Sequence, residues 1–177
     1  MKQSSVLKNQ FGLAVIALSL SGITTAHAEF YAGLGGGAAE FNSDLFGYEF
    51  ESNHGIATGE VGYLWKTASK APWFIGPALN VTYYAAVEED EEDGEDDGHP
   101  VIIRGDLVMG KYFNNVLSAH VRLGAVTDQY FDGAAPSVGA GIGINFNENF
   151  KLVPEAIIFG NSFSSVTNYT LMLQYHF

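Results

Sequence analysis

The last twelve residues of the chain, 166–177, read VTNYTLMLQYHF. Tyr169, Leu171, Leu173, Tyr175 and Phe177 are large and apolar, whereas Asn168, Thr170, Met172, Gln174 and His176 between them are mostly polar. A period of two puts these sets on opposite faces of a β-strand. A strand at a chain end normally carries charge that blunts further pairing, yet this one has no Lys, Arg, Asp or Glu. Its apolar face therefore needs an explanation other than an ordinary edge.

The same period recurs upstream. Leu117, Ala119, Val121, Leu123 and Ala125 alternate with Ser118, His120, Arg122 and Gly124. In the segment ending GAGIGINF (139–146), Val138, Ala140, Ile142, Ile144 and Phe146 alternate with Gly139, Gly141, Gly143 and Asn145. A soluble sandwich or barrel would turn its apolar face inward and cover its exterior with charge. Here the second face is too small and too sparsely charged to serve as a water-facing exterior. An inside-out barrel accounts for both faces, with an apolar belt toward lipid and a polar, glycine-rich lumen.

Turn signals divide the chain into eight strands of about ten residues, the length a tilted membrane strand requires. They are expected at 30–39, 54–66, 73–87, 100–112, 116–126, 137–146, 150–160 and 166–177. Connections at 66–72, 113–115 and 147–149 are tight. Those at 40–53, 88–99, 127–136 and 161–165 are mostly longer and more polar, and such alternation characterises outer-membrane barrels. Trp65, Trp73, Phe113, Phe146, Phe150 and Phe177 lie beside the tight turns, as an interfacial girdle would. Lys66, Lys70, Lys111 and Lys151 sit there too, where their stems can lie in the apolar zone and their ammonium groups reach water. The expected fold is all-β: an eight-stranded antiparallel up-and-down transmembrane β-barrel.

The start of the chain sets the compartment. Lys2 and Lys8 flank the approach to an apolar run, FGLAVIALSL (11–20), and small residues lead to Ala26-His27-Ala28. This is the form of a secretory leader, and the run is too short to span a bilayer. Residues 1–28 are expected to be a cleaved signal peptide and 29–177 the barrel domain. There is no cysteine, so no disulfide framework supports it.

The cleaved leader, the opening FYAGLGGG (30–37) and the closing LQYHF (173–177) resemble the small bacterial outer-membrane barrels of the OmpA-transmembrane-domain and OmpX type. The resemblance implies residence in the outer membrane among lipid and lipopolysaccharide. It also implies that Tyr175 and Phe177 form the signal read by the barrel-assembly machinery.

Three groups of residues could carry chemistry. Glu60, Asp106, Arg122 and Glu155 fall near mid-height on the polar face, with Arg104 and His120 within reach. Enclosed charges need partners, so these six are expected to form an ion-pair plug. The alternative is a gated or proton-sensitive path with His120 as its titrating member, but eight strands leave little interior space. The three-residue link at 113–115 is expected to set Tyr112 opposite Val116, which puts Asp106 directly across from Arg122. The second group is EEDEEDGEDD (88–97), which holds nine of the chain's twenty acidic residues. It reads as a solvated loop that binds divalent cations weakly at most, because it lacks the spacing of a true calcium loop. Together with a net charge of −12, it argues against nucleic acid as a partner. The third group, Asp44, Ser52, His54 and His99, is the only material for a nucleophile and base, and no spacing sets it apart. The function expected is non-enzymatic, structural or surface-interactive, with no cofactor and no resident metal. A lipid A-modifying enzyme and a narrow gated channel are the rivals.

Overall fold

The computed structural model of the chain describes residues 25–45, 48–68, 72–85, 101–127, 134–160 and 164–177. Eight antiparallel strands close into one barrel in sequence order: β1 Thr25–Leu45, β2 Tyr48–Thr67, β3 Trp73–Tyr84, β4 Val101–Tyr112, β5 Leu117–Thr127, β6 Ala134–Asn145, β7 Phe150–Gly160 and β8 Ser164–His176. Closure between β1 and β8 removes both sheet edges, so every strand has two neighbours in the wall. The C-terminal strand is thus not an edge, which is why it needs no protective charge.

The alternation in β8 has the orientation the sequence implies. Tyr169, Leu171, Leu173, Tyr175 and Phe177 face outward, with Phe177 70 % exposed. Asn168, Thr170, Met172, Gln174 and His176 are buried inside. Large apolar side chains cover the exterior all round, from Leu34 on β1 through Val81, Ile103, Leu123 and Ile158 to Leu173. At the end carrying the tight turns, Trp73, Phe113, Phe146, Phe150 and Phe177 stand exposed. Phe30, Phe177, Tyr175 and Phe150 form a continuous row there, with ring centroids 4.8–5.4 Å apart. The Phe177 amide donates to the Phe30 carbonyl at 2.9 Å, fastening the end of the chain to its first strand.

Four sequence expectations need correction. The segment 40–53 is not an open loop: β1 and β2 remain paired rung by rung to Leu45 and Tyr48. The interior is not uniformly polar. Toward the loop end, Ala39, Ile56, Tyr84, Ile102, Val126, Ala135, Ile157, Phe159 and Val166 form one apolar cluster, and toward the turn end Tyr31, Leu64, Phe74, Ala78, Val108 and Tyr112 form another. Glu60, Arg104, Asp106, His120, Arg122 and Glu155 lie between them. Lys151 does not extend outward through the apolar zone but is buried inside the barrel, 5 % exposed; Lys70 lies outside the described residues.

The fourth correction concerns register. Tyr112 pairs with Ser118, not Val116, so Asp106 faces Gly124 and Arg122 faces Val108. The cause is the turn. Asn114 Oδ1 accepts the amides of Val116 and Leu117 at 2.8 and 2.7 Å, while the Phe113 amide donates to the Leu117 carbonyl. This Asx turn draws Val116 into the loop and slides the ladder by two residues. A slide of two keeps the parity, so Asp106 and Arg122 still share the interior. The β6–β7 link repeats the device, with Asn147 Oδ1 accepting the amides of Asn149 and Phe150.

Candidate functional site: the ion network inside the barrel

Glu60 on β2, Arg104 and Asp106 on β4, His120 and Arg122 on β5, and Glu155 on β7 all point inward and are buried. The structure brings the six into one network whose hub is Arg122, 1 % exposed. Its guanidinium grips Glu60 in a fork: Nη2 donates to Oε1 at 2.9 Å and Nη1 to Oε2 at 2.5 Å. Its Nε donates to Glu155 Oε2, and Nη1 reaches Asp106 Oδ2 at 3.5 Å. The planar fork suits this task, because a guanidinium presents five donors in fixed directions and stays charged when buried.

The other members complete the network. Arg104 Nε donates to Asp106 Oδ2 at 2.7 Å, and Ser137 donates to Oδ1 of the same carboxylate at 3.2 Å. His120 Nε2 lies 2.7 Å from Glu155 Oε2, and Gln174 donates to Glu60 Oε1 at 3.1 Å. Three carboxylates and two guanidiniums are thus enclosed with one imidazole beside them. Buried charge is stabilised only when its remaining lone pairs and protons find partners. Among the described residues, Glu155 Oε1 and the Oγ1 of Thr170, its neighbour across the β7–β8 ladder, are the buried acceptor and hydroxyl left without partners here.

Interior glycines make room for these long side chains. A Cβ on Gly141 would lie 2.6 Å from Cε1 of His120, and one on Gly124 would collide with the Asp106 carboxylate. Each of these glycines admits one particular polar neighbour.

Several interior contacts were not foreseen in the sequence. Asn80 bridges Thr58 and Thr82, with hydrogen bonds of 2.8 Å to each, and Tyr84 bonds Asn168. At the turn end, Glu29 accepts from Lys66 and engages His176 Nδ1, while Lys151 donates to the Tyr112 hydroxyl at 3.0 Å. The period-two pattern puts all of them on the inner face; their partners depend on the register and tilt of the closed sheet.

The remaining sequence candidates are not brought together. His54 Nδ1 lies 3.4 Å from the Ala85 carbonyl, against the edge of the Phe41 ring. The backbones of Asp44 and Ser52 pair with Glu49 and Phe41 in the ribbon. His99 and the acidic run 88–97 lie outside the described residues.

Comparison with known proteins adds the fold's kinship. No protein-family model matches the chain, and no curated protein matches it by sequence. Among solved structures, Ail, the attachment invasion locus protein of Yersinia pestis, is 17 % identical in its crystal form. That match covers 84 % of this chain and 99 % of Ail, with a TM-score of 0.53. The backbone structure of Ail in a phospholipid bilayer nanodisc matches with a TM-score of 0.56 at 18 % identity, covering 85 % of this chain and 100 % of that one. The N-terminal β-barrel domain of Pseudomonas aeruginosa OprF matches at 0.50 and 16 % identity, with 85 % and 100 % coverage. The fold is that of a small outer-membrane β-barrel.

Proposed function

We propose that the chain is a bacterial outer-membrane barrel with a structural or surface-interactive role rather than an enzymatic one. The observation that carries this reading is the inversion of an ordinary protein: an apolar belt outside and a charged network inside. In this reading the turn end faces the periplasm, the loop end faces the exterior, and a leader of 28 residues is removed on export. Tyr175 and Phe177, outward-facing at the end of β8, are the groups offered to the assembly machinery.

The lumen is closed in this reading. Two apolar clusters bracket the ion network, and the enclosed side chains include Val126 and Met172, each 0 % exposed. Ail has been crystallised with sucrose octasulfate, a heparin analogue. Here the nine acids between β3 and β4 favour cations, lipopolysaccharide-bridging divalent ions among them, over a sulfated polyanion.

Fractionation and planar-bilayer recording test the proposal together. The mature chain should sediment with outer membranes, migrate faster on gels before boiling than after, and give at most small, rare openings at neutral pH. Recovery as a soluble periplasmic species overturns the membrane reading, and steady large conductance overturns the closed lumen.

A further inference from the structure

The turn end of the barrel opens into a cavity of about 590 Å³ whose lining includes Lys66, Lys151, His176, Glu29 and Tyr112. Two features make it more than a rim. Lys151 is buried, yet among the described residues no carboxylate pairs with it; its ammonium has the Tyr112 hydroxyl at 3.0 Å and the rings of Tyr112 and Phe74 at 5.0 and 5.7 Å. An ammonium has three donors, and a buried charge without a counter-ion is costly. His176 is 4 % exposed; its Nδ1 faces Glu29, and its buried Nε2 has no partner among the described residues.

These two groups define a ligand. Of the two carboxylates that line the cavity, Glu29 is the inward one, and it is already shared by Lys66 and His176, which leaves Lys151 to attract an anion. An imidazole that donates from Nδ1 to a carboxylate is, in its neutral form, an acceptor at Nε2. The complement is a molecule with an oxyanion for Lys151 and a hydroxyl that donates to His176. We propose that this mouth binds a small hydroxy-acid anion. The volume admits a solute of several carbons rather than a bare ion, and the Asn145 and Asn149 amides at the rim offer further hydrogen bonds. Glu148, the other carboxylate of the lining, sits on the exposed β6–β7 turn and is in no ion pair among the described residues. The site stands on interior geometry alone; only its access from the periplasm rests on the topology proposed above.

Binding is tested on the mature chain refolded in phosphatidylcholine nanodiscs, by NMR titration with gluconate at ionic strength held constant with NaCl. The expected result is saturable millimolar binding that shifts the amides of Asn145, Lys151 and His176 and leaves those of Ala39 and Ile157 unmoved. Acetate, which lacks the hydroxyls, should bind at least five-fold more weakly. Lys151→Met, which keeps the apolar stem, should weaken gluconate at least ten-fold, and Lys151→Arg should restore part of it. Gel mobility without boiling confirms that each variant is folded. Non-saturable shifts, equal affinity for acetate, or a folded Lys151→Met that titrates like wild type would each overturn the proposal.

Discussion

Arg122 and Glu60 hold one another in a two-bond fork across the interior, from β5 to β2, with both side chains essentially sealed from solvent. Because the same guanidinium also serves Glu155 and approaches Asp106, its removal takes a cation from three acids at once and leaves Glu60 with the Gln174 amide. Arg122→Met should cost about 3–5 kcal/mol of stability, the range for breaking a buried pair from one side. Adding Glu60→Gln to that variant should recover part of the loss. The urea midpoint of the fast-migrating folded band measures both, and strictly additive losses would mean that the pair is uncoupled.

The β4–β5 register can be read directly in a chain without cysteine. Leu107 and Leu123 are partners on the outer face, and directly opposed Cα atoms lie within disulfide range, about 4.5–5.5 Å. Leu107→Cys with Leu123→Cys should therefore cross-link efficiently on mild oxidation. Leu107→Cys with Val121→Cys should cross-link poorly, and the reverse ranking would restore the register in which Asp106 opposes Arg122.

Asn114 and Asn147 perform the same task in their two turns, so their alanine variants should behave alike. Each should lose about 1–2 kcal/mol, from two side-chain-to-backbone hydrogen bonds of modest net value. Asn115→Ala should cost less, because the contact made there uses its backbone carbonyl, accepting from Asn145 Nδ2. Denaturant midpoints of the three variants decide this, and a loss at Asn115 equal to that at Asn114 would dismiss the Asx-turn account.

Two glycine-to-alanine substitutions form a matched pair. Gly141→Ala pushes into His120 and should destabilise by about 1–3 kcal/mol, the usual cost of overpacking, while moving the His120 ring resonances away from their wild-type positions. Gly105→Ala has nothing within 4 Å of the added carbon and should stay within about 0.5 kcal/mol of wild type. Equal effects at the two sites would show that the interior yields where it is described as filled.

The acidic run 88–97 should bind Ca²⁺ only weakly, with a dissociation constant on the order of 10⁻⁴–10⁻³ M, as for exposed flexible oxygen sites. Calorimetry on the wild type, and on a chain whose acids there become Asn and Gln, makes the comparison. Identical titrations would reduce the run to a solvated loop.

The wall of the barrel was legible in the sequence because period two and turn spacing are local properties. β7 is 150–160 in both readings, and β8 differs by a residue or two at each end. The partners were less legible, because they depend on where each turn begins. The clue lay in a repeated Phe-Asn pair: Phe113-Asn114 and Phe146-Asn147 open identical turns, and reading the second as a template for the first would have fixed the β4–β5 ladder. Polarity also misleads at Lys151. A lysine near a tight turn was placed by its chemistry on the outside, whereas strand parity puts it inside with Val153 and Glu155. Parity is the stronger constraint, since reversing it would turn the whole strand over.

The ribbon formed by β1 and β2 has a mechanical consequence. β2 continues from Gly55 to Tyr48 beyond its last rung with Tyr84 of β3, while β1 stays zipped to it and keeps β8 as a neighbour as far as Ser43. Those eight residues add about 26 Å along the strand at about 3.3 Å per residue. A β-ladder three strands wide at its root resists bending far better than a free loop, so the hairpin is a mast. Its tip at Leu45 and Tyr48 is held away from the bilayer at a set distance. With the loop end outward, as proposed above, a protease or antibody approaching an intact cell should reach that tip before it reaches the wall.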